Sequence, residues 1–283
     1  MRFSTGQARR LGMMVSVIAL MGTTAAHAEL MLYPTRIIIE QSRRSAQIEL
    51  LNRGTVPESY RIVLVNRRMT EKGEIVEAKE AMPDERFANS MIIYGPRQVT
   101  LQPGVPQVVR LTVRRPQDLE AGEYRTHLQF DRLADPEEAN DVEKTNQVSS
   151  TGLSITLKAL VGVSIPVIVR QGDTHVEVKL DEVTYAPATD KSGSSVAFNL
   201  NRTGNRSIYG DIKAFYTAPG KKPVEVGTVG GLAVYVPNAQ RQVKLALNPP
   251  KGVVLRGGLL MLEYRQSPDL GAALIAQNSI PVP

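Results

Sequence analysis

The chain has 283 residues, 42% of them hydrophobic and 22% charged, with no Cys, no Trp and a formal net charge of +6. That balance fits one large or two ordinary folded domains rather than a disordered chain. The absence of Cys excludes disulfides, thiolate metal sites and thiol catalysis. Arg2, Arg9 and Arg10 fall in the first 28 residues, which hold no acid, so the remainder carries only +3 and its aromatic content is low; neither the charge nor the stacking surface argues for nucleic acid.

The N-terminus reads as a secretory signal. Basic residues come first, an apolar run covers 11–21, and Ala26 and Ala28 form an A-x-A-like cleavage site. The run is too short to span a bilayer comfortably, which argues against stable membrane insertion. The expected product begins near Glu29 and is exported, with a bacterial periplasm as its destination. Its roughly 255 residues are enough for a core, or two, without disulfides.

From Glu29 onward the pattern is β. Residues 31–40 read as an Ile-rich first strand and 45–51 as a second, ended by Asn52-Arg53-Gly54. A third covers 60–66, and 70–84 reads as polar connection. A short strand at 91–94 precedes Gly95-Pro96, and 99–101 leads to a turn at Pro103-Gly104. In 107–113 the residues Val109, Leu111 and Val113 share one face, with Arg110 and Thr112 on the other. Gly122 turns the chain into a strand at 124–130. Strands separated by turn signals, without a helical period, predict a β-sandwich.

The strongest pattern lies at 153–165. Leu153, Ile155, Leu157, Ala159, Val161, Val163 and Ile165 hold the odd positions, and only Leu160 interrupts the polar even side. Residues two apart in a strand share a face. This makes a strand of about thirteen residues, against an ordinary five to six, and an acidic loop at 135–151 precedes it. Two readings stand: a core strand of a sandwich, or a strand only partly used by its own domain, whose apolar face is offered to a partner by strand addition.

Arg170-Gln171-Gly172 marks a domain boundary. Beyond it strands are predicted at 175–180, 196–202, 209–216, 231–236, 242–247, 259–264 and 273–280, a second sandwich of roughly 110 residues. The expected organisation is a signal peptide at 1–28 and domains at 29–170 and 171–283. Past the signal only His127 and His175 remain, and no H-E-x-x-H, G-x-S-x-G or paired metal-ligand spacing occurs. Gly227-Thr228-Val229-Gly230-Gly231 lacks the spacing and Lys of a phosphate loop and reads as a turn. His127 reads as a satisfied or surface strand residue. No catalytic residue, metal ligand or cofactor is expected.

Three segments, in this order and spacing, resemble the periplasmic pilus (fimbrial) assembly chaperones of the chaperone–usher pathway. They are Tyr33-Pro34-Thr35-Arg36-Ile37-Ile38-Ile39, then Leu101-Gln102-Pro103-Gly104 with Val109-Arg110-Leu111, and Ile165-Pro166-Val167-Ile168-Val169-Arg170. The resemblance implies an all-β protein of two immunoglobulin-like β-sandwich domains in an L-shaped arrangement. It implies a chaperone that caps fimbrial or related secreted-fibre subunits by donor-strand complementation and delivers them to an outer-membrane usher. The odd positions from Leu153 to Ile165 are then the donor strand. A subunit lacking a strand exposes its core and unpaired backbone groups, a hazard that a lent strand removes.

The resemblance further implies that Arg36 anchors the subunit's terminal carboxylate. The Lys that accompanies it in the family is missing, Pro166 standing at its place and Lys158 well upstream. It also implies an interdomain salt bridge among Glu123, Arg170 and Asp269. The alternative is an exported structural β-sandwich protein, an adhesin or fibre subunit. The lack of Cys and a first strand almost at the cleavage site weigh against it. An exported hydrolase would need a catalytic constellation that the sequence does not contain, and fold alone does not fix function.

Overall fold

The computed structural model describes residues 30–133, 162–190 and 192–283. The expected signal peptide, the acidic loop and donor positions Leu153, Ile155, Leu157, Ala159 and Val161 lie outside the described residues.

The first sandwich is built from β1 (Leu30–Tyr33), β2 (Ile37–Ile39), β3 (Ser45–Asn52), β4 (Glu58–Val65), β5 (Arg67–Met69), β6 (Ile75–Glu77), β7 (Ile92–Gly95), β8 (Gln98–Leu101), β9 (Gln107–Val113), β10 (Gly122–Arg132) and β11 (Val163–Gln171). One sheet runs β1-β3-β9-β7 and the other β2-β11-β10-β4-β8. Alternation decides what each strand buries: Val109, Leu111 and Val113 of β9 face Leu128 and Phe130 of β10 and Val167 and Val169 of β11 within one core.

The predicted first strand at 31–40 is two strands in two sheets. β1 pairs antiparallel with β3, whereas β2 pairs parallel with β11, Ile37 to Val167 and Ile39 to Val169. The change of sheet falls at Tyr33-Pro34-Thr35-Arg36, where Pro34 has no N–H for a ladder. The connection predicted at 70–84 also contains a strand. β6 pairs with β5 in a ribbon, and because its residues are exposed it shows no burial period.

The second sandwich comprises β12 (Val176–Ala186), β13 (Ser195–Gly204), β14 (Ile208–Thr217), β15 (Val224–Val234), β16 (Gln240–Ala246), β17 (Gly258–Arg265) and β18 (Leu274–Val282). Its sheets run β12-β13-β16 and β15-β14-β17-β18. Val196, Phe198 and Leu200 pack against Ile212, Tyr216, Leu260 and Tyr264. The glycine-rich segment 227–231, predicted as a turn, lies inside β15. It forms a bulge there: Gly210 pairs with Leu232 and Ile212 with Val229, so Gly230 and Gly231 oppose Asp211 alone. Gly231 has φ +72° and donates its N–H to Asp211 Oδ1 at 2.9 Å, a conformation that glycine adopts without a Cβ penalty.

A third apolar cluster joins the sandwiches. Met69 and Ile168 from the first meet Ala233 and Tyr235 from the second. Ile168 is an even position of β11, so its side chain leaves the core that Val167 and Val169 enter. The β5–β6 ribbon adds backbone contacts: Asn238 Nδ2 donates to Met69 O at 2.8 Å, and Gln242 N–H of β16 donates to Glu71 O at 2.8 Å.

Candidate functional site

The switch of sheets between β1 and β2 carries Arg36 to the junction of the two sandwiches. There it lines a cleft of about 570 Å³, to which Arg170 contributes from the first sandwich and Arg206 and Tyr209 from the second. The Arg36 guanidinium lies 4.6 Å from the centroid of the Tyr209 ring and 5.3 Å from that of Tyr235. The Arg125 guanidinium is 4.3 Å from the Tyr235 ring. Cation–π attraction holds the Arg36 head in place but does not satisfy its donors. Nε and Nη1 of Arg36 are buried with no hydrogen-bond partner. Among the described residues no carboxylate lies within ion-pair distance of it.

Arg170 meets one acid of the expected triad and one acid outside it. Antiparallel register sets Glu123 of β10 directly opposite Arg170 of β11, and Arg170 Nε donates to Glu123 Oε2 at 3.3 Å. Arg170 Nη1 donates to Glu40 Oε1 at 2.8 Å. Glu123 and Arg170 of the expected triad are thus paired, with Glu40 as a further acid on Arg170; the side chain of Asp269 lies outside the described part. The link to the second sandwich runs through Glu123, only 4% exposed, which accepts the Ser207 N–H at 3.1 Å and the Ser207 hydroxyl. Glu40 carried no sequence signal, since only the parallel pairing of β2 with β11 sets it beside Arg170.

Arg206 was also missed. It sits in the turn before β14, where a sequence cannot distinguish a cleft arginine from a solvated one. Its Nε is buried without a partner. Burial lowers its pKa, and the neighbouring Arg170 lowers it further, against opposing pulls from Glu40 and Glu123. The place of the family's missing Lys, Pro166, lies opposite His127 on β10 and supplies no cation.

On β11 the two described donor positions part ways. Ile165 is 4% exposed and belongs to the first sandwich's own core, whereas Val163 is 36% exposed. The odd face thus enters its own core from Ile165 onward, and the assignment of Ile165 to a partner is corrected. β11 pairs with β10 along its full length but with β2 only at Val167, Ile168 and Val169. Upstream of Val167, its other edge has no ladder partner among the described residues. His127 is neither satisfied nor at the surface: it is buried with Nδ1 unpartnered. Burial, then Arg125 and Arg67, push its pKa down to about 3. Among the described residues no cluster of three or more His, Cys, Asp or Glu could hold a metal ion, and no helix is long and apolar enough to cross a membrane.

No protein-family model matches the chain, and no curated protein matches it. Solved structures similar to it include the CupB2 chaperone of Pseudomonas aeruginosa, with 11% identity and a TM-score of 0.45 over 89% of this chain and 98% of that one. The CsuC–CsuE chaperone–tip adhesion subunit pre-assembly complex of the archaic chaperone-usher Csu pili of Acinetobacter baumannii is similar at 14% identity and a TM-score of 0.43, over 90% and 98%. The Salmonella enterica SafA pilin in complex with the SafB chaperone is similar at 11% identity and a TM-score of 0.41, over 89% and 96%.

Proposed function

We propose that this protein is a non-catalytic periplasmic chaperone, with domains at 29–170 and 171–283. In this reading it caps fimbrial or related secreted-fibre subunits by lending them a strand and passes them to an outer-membrane usher. One observation carries the reading: among the described residues β11 is paired on one side only before Val167, and the sequence upstream continues its apolar alternation at Leu153, Ile155, Leu157, Ala159 and Val161. An open edge offers backbone donors and acceptors, and alternate apolar side chains offer specificity. Pro166 fits such an edge, where a missing N–H breaks no ladder bond. Arg36, with two buried unpaired nitrogens in the cleft, is the proposed anchor for the client's terminal carboxylate.

The test is the double variant Ile155→Asp, Leu157→Asp, co-expressed with an exported fibre subunit that lacks a strand. Capture is expected to be lost with the fold intact, because burying unpaired carboxylates in an apolar groove costs several kcal/mol. Unchanged capture would remove the donor strand from the mechanism. Loss of folding would return the stretch to the role of a core strand. Self-assembly of the purified chain into fibres would favour an exported structural protein instead.

A further inference from the structure

One end of the sheet β1-β3-β9-β7 gathers arginines that no acid compensates. Arg43 and Arg44 lie in the turn before β3, and Arg114 and Arg115 follow β9 directly. Hydrogen bonds tie the two segments together: Val113 N–H donates to Arg44 O at 2.8 Å, and Arg115 Nη1 donates to Arg43 O at 3.0 Å. Arg110 adds a further cation on the outward side of β9, opposite Gln47 of β3 and Gly95 of β7. Arg43, Arg44, Arg110 and Arg114 are exposed, and among the described residues none of them has a carboxylate within ion-pair distance. Burial lowers the pKa of Arg115, and the like charge of Arg44 lowers it further. The acids nearby are held or set apart. Glu40 is held by Arg170 and Glu120 by Arg86, and Glu49 stands beyond Gln47, opposite Tyr33 and Val108. Between the arginines the outward face shows the uncharged, exposed Ser45, Gln47 and Thr112. Ile93, 49% exposed, lies opposite Thr112, and a Cβ added at Gly95 would meet nothing within 4 Å.

We propose that this arginine-rich face docks the protein on the anionic headgroups of a phospholipid bilayer. Resting on the chaperone reading, that bilayer is the periplasmic leaflet around the usher. Cations spread over two connecting segments and a strand, on an open pleated surface, match a plane of repeated negative charges. A single small anion would instead call for donors converging in a cavity. Guanidiniums near an anionic leaflet are attracted to it additively, which removes the mutual repulsion they carry in solution. Ile93 is the one large apolar side chain among them, so contact is shallow, reversible and salt-sensitive. The open edge of β11 belongs to the other sheet of the sandwich, so docking on this face leaves the client edge free.

The surface is tested by flotation of the purified mature chain with vesicles of phosphatidylglycerol and phosphatidylcholine in equal parts, and with phosphatidylcholine vesicles alone. The wild type is expected to float with the anionic vesicles at about 50 mM salt and to be released at about 0.5 M, and not to float with phosphatidylcholine. The double variant Arg43→Glu, Arg114→Glu should bind at least about 25-fold more weakly, about fivefold for each arginine removed. Lys221→Glu, Lys222→Glu makes the same change of net charge on the second sandwich and should bind as the wild type does. Circular dichroism checks each fold, and Arg110→Gln carries the test if the double variant does not fold. No flotation with anionic vesicles, equal flotation with phosphatidylcholine, or equal losses in the two double variants would overturn the proposal. Release by inorganic phosphate beyond that by chloride at equal ionic strength would mark a free-anion site and overturn it as well. So would arginine-dependent binding of polyglutamate without vesicle binding, which would give the face to an acidic protein. Subunit capture in solution is measured in parallel. A double variant that captures its subunit normally but no longer floats supports the surface and leaves the chaperone reading standing. Vesicle binding as expected without subunit capture by the wild type supports the surface and overturns that reading.

Discussion

At the scale of single residues, His127 works against the pH dependence of an ordinary histidine. It is buried, and its pKa lies at about 3 rather than 6.5. A base whose folded pKa is depressed is protonated first in the unfolded chain, so the unfolded state binds more protons between the two values. Its contribution is therefore intact above pH 6.5 and is lost as pH falls from 6.5 toward 3, at up to about 1.4 kcal/mol per unit. His127→Gln cannot titrate, so the stability gap between wild type and variant is expected to shift in favour of the variant as pH falls. Urea unfolding of both proteins at about pH 7 and pH 5 measures the shift; parallel stability curves would show that His127 is protonated in the fold. Arg36 makes a second residue-scale case. Its Nε and Nη1 are buried and unpaired, so Arg36→Ala should weaken subunit capture by about ten- to a hundredfold without lowering the melting temperature. A melting temperature that drops with capture would mark it as a structural residue of the Tyr209 and Tyr235 stack.

At the scale of elements, the β5–β6 ribbon leaves its own sandwich and lies along the edge of the other. Arg68 Nε donates to both oxygens of Glu85, at 3.0 and 3.1 Å, which ties the ribbon to the first sandwich. Met69 O and Glu71 O take donors from Asn238 and Gln242. β16 is the edge of its sheet, so the Gln242 contact also covers an open ladder. Asn238→Ala should cost about 1 kcal/mol and Met69→Ala about 2–5 kcal/mol. Both act on the coupling between sandwiches, so calorimetry should show one transition splitting into two. A single transition lowered without splitting would mean that the ribbon stabilises only its own side. This ribbon also shows where sequence reading stops. β14 was legible because every second residue from Ile208 is buried, and β9 for the same reason. β6 was not, since Ile75, Val76 and Glu77 are all exposed and leave no period. β15 was shortened because its glycines resemble a turn when the bulge opposite Asp211 is unseen. Arg36 was found through its motif, whereas Glu40 and Arg206 depend on a parallel strand pair and on the second sandwich's approach, both long-range.

For the whole molecule, the relation between the sandwiches rests on a buried polar relay as well as on the Met69–Tyr235 cluster. Arg170 joins Glu40 to Glu123; Glu123 accepts the Ser207 N–H and hydroxyl; and Ser207 Oγ accepts the Val236 N–H at 3.0 Å. Such a network is stabilising only while every member is satisfied. Its ion pair does more to fix geometry than to add stability, because desolvation offsets much of the attraction. The two ends are not equivalent. Ser207→Ala removes the hydroxyl from Glu123 and from Val236 but leaves the carboxylate its cation and one N–H, so a loss of about 1–3 kcal/mol is expected. Arg170→Ala strands a buried carboxylate beside Ser207, and a loss toward about 3–5 kcal/mol is expected, tempered because the Glu40 end is exposed. The stranded Glu123 can regain water only by parting the sandwiches. Arg170→Ala should therefore widen the distribution of interdomain angles in small-angle scattering, whereas Ser207→Ala should shift the melting temperature with little change in the scattering curve. Unchanged scattering would show that the apolar cluster and the ribbon alone set the angle, and that the relay is local to Arg170.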